Sequence, residues 1–153
     1  MRWSLQDVPF LFLFDDPTRI ERFFHTIRLR DMWDATFDII TIPLTNVFRS
    51  SQNFPFLELT LYDVKYPKYF GDFVSHLPDL ALKNKGTLIA STNQLTIHAG
   101  SRLPNYIVST QWANKEDFQH YLKETEELLN GEQYACTVRV LFLLSQYPRT
   151  TSL

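Results

Sequence analysis

The residues of this chain whose types suit proton transfer or anion binding are its histidines and Arg102. The four histidines lie at positions 25, 76, 98 and 120, and no two have the spacing of paired metal ligands on one helix, so the sequence predicts no metal site. His76 falls at the edge of a predicted helix stripe, and His98 comes shortly before Arg102. An imidazole beside a guanidinium suits proton transfer next to an anion or enolate. His76, His98 and Arg102 are therefore the candidate catalytic residues, although a solvated helix histidine and an ordinary loop explain the same residues.

Five aromatic residues form a second candidate set, for ligand binding. They come from predicted strands and helices of one unit: Tyr62, Tyr66, Tyr69, Trp112 and Tyr121. Such rings line pockets for hydrophobic or aromatic small molecules, and they also fill protein cores. Their spacing fits both interpretations, and core packing is the simpler one. Trp112, where a predicted strand turns into a helix, is interpreted as mainly a packing residue that also forms one wall of a pocket.

Several other residue types are present without forming a site pattern. The 4 glycines are too few for a glycine-rich phosphate loop. The single Cys136 excludes an internal disulfide and suits a reducing cytoplasm. Glu58 and Arg139 stand in the first and last strands of the unit predicted below. Because we take those strands as separate edges of the sheet, we do not infer an ion pair between these two residues.

Composition limits the class of protein and its partners. The chain has 153 residues, of which 44% are apolar and 21% charged, and a net charge of -2; these values are typical of a folded globular domain. No cluster of Lys and Arg forms a basic stripe, so nucleic acid is not a predicted partner. The apolar stretch 9–14 is too short to span a bilayer. We expect a cytoplasmic protein with no membrane partner and no cofactor.

The pattern of residues 56–148 predicts an α+β unit. Alternating and helical spacings predict the order strand, helix, strand, strand, helix, strand, over residues 56–63, 67–85, 87–92, 105–112, 115–129 and 136–144. Asn114 is a predicted helix cap, Pro78 is expected to kink or restart the first helix, and Gly86 is expected to close it. This order is that of a ferredoxin-like split βαβ unit, an antiparallel four-stranded sheet with both helices on one face. Residues 149–153 form a short tail.

Residues 1–55 resemble the second half of that unit. When "VPFLFLFDDPTRIERFF" is placed under "YIVSTQWANKEDFQHYL", Phe14 falls on Trp112 and Asp16 on Asn114. We interpret this segment as an extra β-α-β half unit, an incomplete repeat that supplies strands against the sheet face without helices. The alternative is that any two strand-helix-strand segments align this well.

Four stretches carry a resemblance to a known family: "LYDVKYPKYFGDFV", "KNKGTLIAS", "IHAGSRLPNYIVSTQW" and "NKEDFQHYL". Together they resemble the dimeric α/β-barrel superfamily, and within it the antibiotic-biosynthesis-monooxygenase-like domains and related uncharacterised small proteins. The resemblance implies a homodimer and a hydrophobic small molecule held between helices and sheet. The haem-degrading branch is not implied, because its tryptophan and histidine positions hold Tyr121 and Gly131 here.

Three functional hypotheses follow from these residues. The first is a protein that binds a hydrophobic or aromatic small molecule without a reaction. The second is a cofactor-independent enzyme of the monooxygenase-like or isomerase kind, in which Trp112 and Tyr69 shape the pocket and His76 or His98 moves a proton. The third is an assembly or interaction module without a ligand.

Overall fold

The computed structural model describes residues 13–26, 38–49, 52–100, 104–129 and 135–144, with the backbone alone for 135–138. In these residues the protein is α+β, with three helices and two antiparallel sheets. The helices are α1 Pro17–Thr26, α2 Pro67–Lys83 and α3 Lys115–Leu128. The strands are β1 Ile39–Thr41, β2 Phe56–Asp63, β3 Thr87–Thr92, β4 Thr96–Ala99, β5 Tyr106–Trp112 and β6 Ala135–Leu143. None of the described helices is both long and apolar enough to cross a membrane.

The larger sheet has four strands in the order β3-β5-β2-β6, and all neighbours are antiparallel. Thr60 of β2 stands opposite Val108 of β5 on one side and Arg139 of β6 on the other. The expectation that the first and last strands of this unit are separate edges is therefore wrong. After β2 the chain passes through α2 and enters β3, which does not pair with β2. Both edges of β2 are therefore available to the later strands β5 and β6.

The main core lies between this sheet and the pair α2 and α3. Both helices place aromatic and aliphatic side chains on the same face of the sheet, because their apolar residues recur at helical spacing. The buried members of this core are Tyr62, Phe70, Phe73, Leu77, Ala81, Leu88, Val108, Trp112, Phe118 and Tyr121. The helices are also joined at the surface, where Lys83 and Asn84 both donate hydrogen bonds to the carboxylate of Glu124.

Helix α2 begins with Pro67 and passes through Pro78 without restarting. Its end combines two hydrogen bonds, from the Lys85 N–H to the Leu82 oxygen at 3.0 Å and from the Gly86 N–H to the Ala81 oxygen at 2.7 Å. Lys85 therefore takes the left-handed position of a Schellman motif, with a φ of 62°. Gly86 follows that position, so it closes the helix as predicted without adopting the left-handed conformation itself.

Helix α3 begins as the sequence predicts. The Asn114 side chain accepts a hydrogen bond of 2.8 Å from the Asp117 N–H, which satisfies one of the free donors of the first turn. Glu116 and Asp117 also stand in that turn, where the helix dipole favours negative charge. The strand-to-helix junction at Trp112 is thus held by a local cap as well as by core packing.

The other face of the sheet is covered by residues from the first part of the chain. Strand β1 pairs with β4 in a separate two-stranded sheet, and Ile40 and Ile42 pack against Leu61 and Ile107 of the larger sheet. The segment 45–49 continues along this face toward β3 and the end of β5. Most of the residues before α1 lie outside the described part, so the incomplete repeat stays a prediction.

Candidate functional site

A cluster of polar side chains lies buried on the helix side of the sheet. Glu58 is 1% exposed, and Thr60 and Thr110 are fully buried. Since side chains alternate along a strand, Glu58 and Thr60 share a face with Tyr62, which belongs to the core under the helices. A carboxyl group in such a position carries a large desolvation cost unless it is hydrogen-bonded or paired.

Arg139 supplies the positive charge of this cluster. Its Nε donates a hydrogen bond of 3.1 Å to the Thr60 hydroxyl, and that hydroxyl donates in turn to Oε1 of Glu58. A second guanidinium nitrogen donates to the Tyr62 hydroxyl at 3.1 Å. The Arg139 Nε lies 3.9 Å from Oε1 of Glu58. The ion pair that we did not infer is thus present, because β6 lies directly beside β2.

Burial dominates the electrostatics of Glu58. Desolvation raises the pKa of this carboxyl, and the Thr60 hydrogen bond, the Arg139 charge and the Thr110 hydroxyl only partly oppose that rise. Among the described residues, Oε2 of Glu58 has no hydrogen-bond partner. Burial also raises the pKa of the neighbouring Tyr121 well above its ordinary value, and the Glu58 charge adds to this. The cluster therefore contains a carboxyl group that loses its proton less readily than an exposed glutamate does.

A cleft opens between α3 and β6 beside the cluster. It has a volume of about 410 Å³, and its walls are Phe118, Leu122, Glu126, Leu129, Arg139, Val140 and Leu141. Arg139, whose side chain is 16% exposed, belongs both to this cleft and to the buried cluster. Glu126 lies 4.0 Å from the Arg139 guanidinium and is 64% exposed, so it stands at the rim. Apolar walls with few polar groups suit a hydrophobic small molecule.

The structure divides the predicted ligand-binding residues into two groups. Tyr62, Trp112 and Tyr121 are buried together in the core, and the rings of Trp112 and Tyr121 are 4.8 Å apart. Tyr66 and Tyr69 are exposed at the start of α2. None of the five lines the cleft between α3 and β6.

The predicted catalytic residues stand apart from the cleft. His76 is exposed on α2. His98 lies in β4, where its Nε2 is 3.0 Å from the Thr41 hydroxyl and its ring is 4.8 Å from that of Phe24. Neither histidine lines the cleft. Arg102 lies outside the described residues.

Sequence reasoning missed the cluster around Glu58. The expectation of two separate edge strands left Glu58 and Arg139 unconnected. One signal was available, because the strand order of a split βαβ unit places its first and last strands side by side. With β2 and β6 as neighbours, Arg139 stands opposite Thr60 and its side chain reaches Glu58.

Comparison of the chain with protein-family models, curated proteins and solved structures finds no significant match. Within the described residues, no group of three or more His, Cys, Asp or Glu side chains has an arrangement that holds a metal ion. The chemistry of the cluster and the cleft is therefore what indicates a function.

Proposed function

We propose that this protein binds a hydrophobic or aromatic small molecule in the cleft between α3 and β6. The observation that carries the proposal is a cleft of about 410 Å³ that combines apolar walls with one cation, the largely buried Arg139. This volume is within the usual range for small-molecule sites, and such sites typically have few polar groups. Phe118, Leu122 and Leu129 supply much of the apolar wall.

We propose further that the unit 56–148 is a ferredoxin-like member of the dimeric α/β-barrel type. The sequence order of its strands, β2, β3, β5 and β6, combined with the spatial order β3-β5-β2-β6, supports this proposal. In that type the ligand lies between helices and sheet, as the cleft does. The sheet face that a barrel partner contacts carries residues 40–49 of the same chain here, so a homodimer would include those residues in its interface.

The uncharged dye N-phenyl-1-naphthylamine tests the binding proposal, since its fluorescence rises in apolar sites. We expect saturable binding to the wild-type protein and its loss in Leu122→Trp, where the larger ring fills the cleft. The matched control is Leu128→Trp, on the same helix but at an exposed position outside the cleft. This control should bind like the wild type. Absence of saturable binding to the wild type would contradict the proposal and favour the assembly hypothesis.

A second candidate function is a cofactor-independent reaction, and Glu58 is the observation that favours it. A buried carboxyl group with a raised pKa is typical of general acid-base residues. Its carboxyl is separated from the cleft by Arg139, which places this function second. Deuterium exchange at the methyl group of acetophenone, followed by NMR, tests it. Faster exchange in the wild type than in Glu58→Gln supports a proton-transfer enzyme, and equal rates contradict it for this substrate class.

A further inference from the structure

Arg139 belongs both to the buried cluster around Glu58 and to the cleft between α3 and β6. On one side it offsets the charge of the buried Glu58, directly at 3.9 Å and through Thr60. On the other side it forms part of the cleft, where its nearest described acid is the exposed Glu126 at 4.0 Å. A contact of that length to a solvated carboxylate is weak and screened by salt. A ligand group entering the cleft would meet this guanidinium beside the apolar walls.

We propose that the ligand of this cleft is a hydrophobic monoanion, such as an aromatic carboxylate or sulfonate, whose charged group binds Arg139 and whose binding transfers one proton from solvent to Glu58. This inference rests on the proposed function of the cleft and names its ligand class. The apolar walls hold the hydrocarbon part, and the guanidinium holds the anionic part. Arg is well suited to the second task, because its planar donors match carboxylate and sulfonate oxygens.

The proton step follows from the charges that face Glu58. From β2 it faces the Thr60 hydroxyl, from β5 the Thr110 hydroxyl, and from β6 the Arg139 guanidinium. From α3 it faces the Tyr121 phenol, and Glu126 acts on it through Arg139. Arg139 is thus the one cation among these described groups. When a ligand anion neutralises it, the buried carboxylate loses its stabilisation and takes up a proton.

Two dyes with the same aromatic skeleton separate the ligand class from the cleft itself. 8-Anilinonaphthalene-1-sulfonate carries a permanent anion, whereas N-phenyl-1-naphthylamine is uncharged. The dissociation constants of both are measured at constant ionic strength at about pH 5.5 and about pH 7.5. For the wild type we expect the anionic dye to bind about threefold to tenfold more tightly at the lower pH, since one coupled proton gives at most about tenfold per pH unit. The uncharged dye should show no such change.

Three variants assign the effect to named groups. Glu58→Gln should bind the anionic dye at least as tightly as the wild type and lose the pH dependence. Glu126→Gln, which removes the rim carboxylate, should keep the pH dependence. Arg139→Gln should weaken the anionic dye by about tenfold to a hundredfold, the usual effect of a lost charged hydrogen bond, and should spare the uncharged dye. Near-UV circular dichroism checks that each variant is folded.

Each result has a distinct meaning. If the wild type binds the uncharged dye but shows no pH dependence with the anionic dye, the proton coupling is overturned while the cleft stands. If Glu58→Gln retains the wild-type pH dependence, Glu58 is not the proton acceptor. If Arg139→Gln is folded and the dissociation constants of both dyes rise by the same factor, the anion preference is overturned. If Arg139→Gln does not fold, the wild type and Glu58→Gln still decide the coupling.

Discussion

Trp112 stands at the junction of β5 and α3, where no part of its side chain reaches solvent. Its ring packs against Tyr121 and Phe118, with ring centroids 4.8 and 6.0 Å away. Gly86 makes room for it, because a Cβ at that position would lie 2.5 Å from the indole. The indole nitrogen has no hydrogen-bond partner among the described residues. These contacts support the packing role that the sequence predicts for this tryptophan.

Substitution of Trp112 tests that role. Trp112→Ala should lower the free energy of unfolding by about 3–5 kcal/mol, because it removes a fully buried ring and leaves a cavity. Trp112→Phe should keep the fold, since it retains an aromatic ring and removes an N–H that lacks a partner. Urea unfolding followed by circular dichroism measures both. An alanine variant as stable as the wild type would show that the site collapses around the loss or that the ring contributes little.

Glu58 makes a prediction about the pH dependence of stability. Because burial raises its pKa in the folded protein above the ordinary value of 4.5, the folded state holds this proton more tightly than the unfolded state. The resulting stabilisation is complete below about pH 4.5 and is lost as the pH rises through the folded-state pKa. Relative to Glu58→Gln, the wild type should therefore become less stable as the pH rises above about 4.5 and through the raised folded-state pKa.

Urea unfolding at several pH values compares the wild type with Glu58→Gln. The difference between the two free energies of unfolding should change steadily with pH, by at most about tenfold per pH unit in the unfolding equilibrium constant. Glu126→Gln, which removes an exposed carboxylate near the same arginine, is the matched control and should follow the wild type closely. Parallel curves for the wild type and Glu58→Gln would mean that burial leaves the pKa of Glu58 close to its ordinary value.

At the scale of elements, the end of α2 places a lysine, Lys85, in the left-handed conformation that glycine usually adopts there. Lys85 adopts a φ of 62°, a left-handed value that L-residues with a Cβ rarely adopt. The following Gly86 has the residue type usually found at such a position, but there it is needed to admit the Trp112 ring. The helix-ending glycine predicted from the sequence therefore serves the core, and a lysine takes the strained place.

Lys85→Gly should stabilise the protein by about 0.5–1 kcal/mol, because glycine adopts the left-handed conformation without a steric penalty. Lys85 is exposed, so little packing is lost with its side chain. Lys85→Ala is the control: it removes the same side chain but keeps a Cβ, so it should give no comparable gain. Thermal unfolding of the three proteins measures the difference. A gain shared by both variants would point to the lysine charge instead of the backbone.

At the scale of the whole molecule, Gln111 ties the first part of the chain to the sheet. Its side-chain oxygen accepts a hydrogen bond of 2.7 Å from the Arg49 N–H. Its side-chain nitrogen donates to the oxygens of Arg49 at 3.3 Å and Phe54 at 3.4 Å. Farther along, the Asn46 side chain donates to the Leu88 oxygen at 2.6 Å. The sheet face without helices is thus joined to residues 45–49 and 52–54 by polar contacts to the backbone.

Gln111→Ala should lower the free energy of unfolding by about 1–3 kcal/mol, because it removes three hydrogen bonds between a fully buried side chain and the backbone of Arg49 and Phe54. Hydrogen exchange measured by mass spectrometry should show faster exchange for residues 45–54 and little change in α3. Gln119→Ala, at an exposed position on α3, is the matched control and should match the wild type. Unchanged exchange over residues 45–54 would mean that apolar packing alone holds this segment.

Local chemistry by itself determined most of the elements. The cap at Asn114, the start of α2 at Pro67 and the alternation of β2 depend on residues that are neighbours in the chain, so the sequence predicts them. The tertiary structure alone decided which strands are neighbours and which faces are covered. A period of two shows that Glu58 and Leu59 point to opposite faces, but it does not show that helices bury the face of Glu58. The contact between Glu58 and Arg139 depends on the pairing of strands distant in sequence, which is why the candidate site emerged only from the structure.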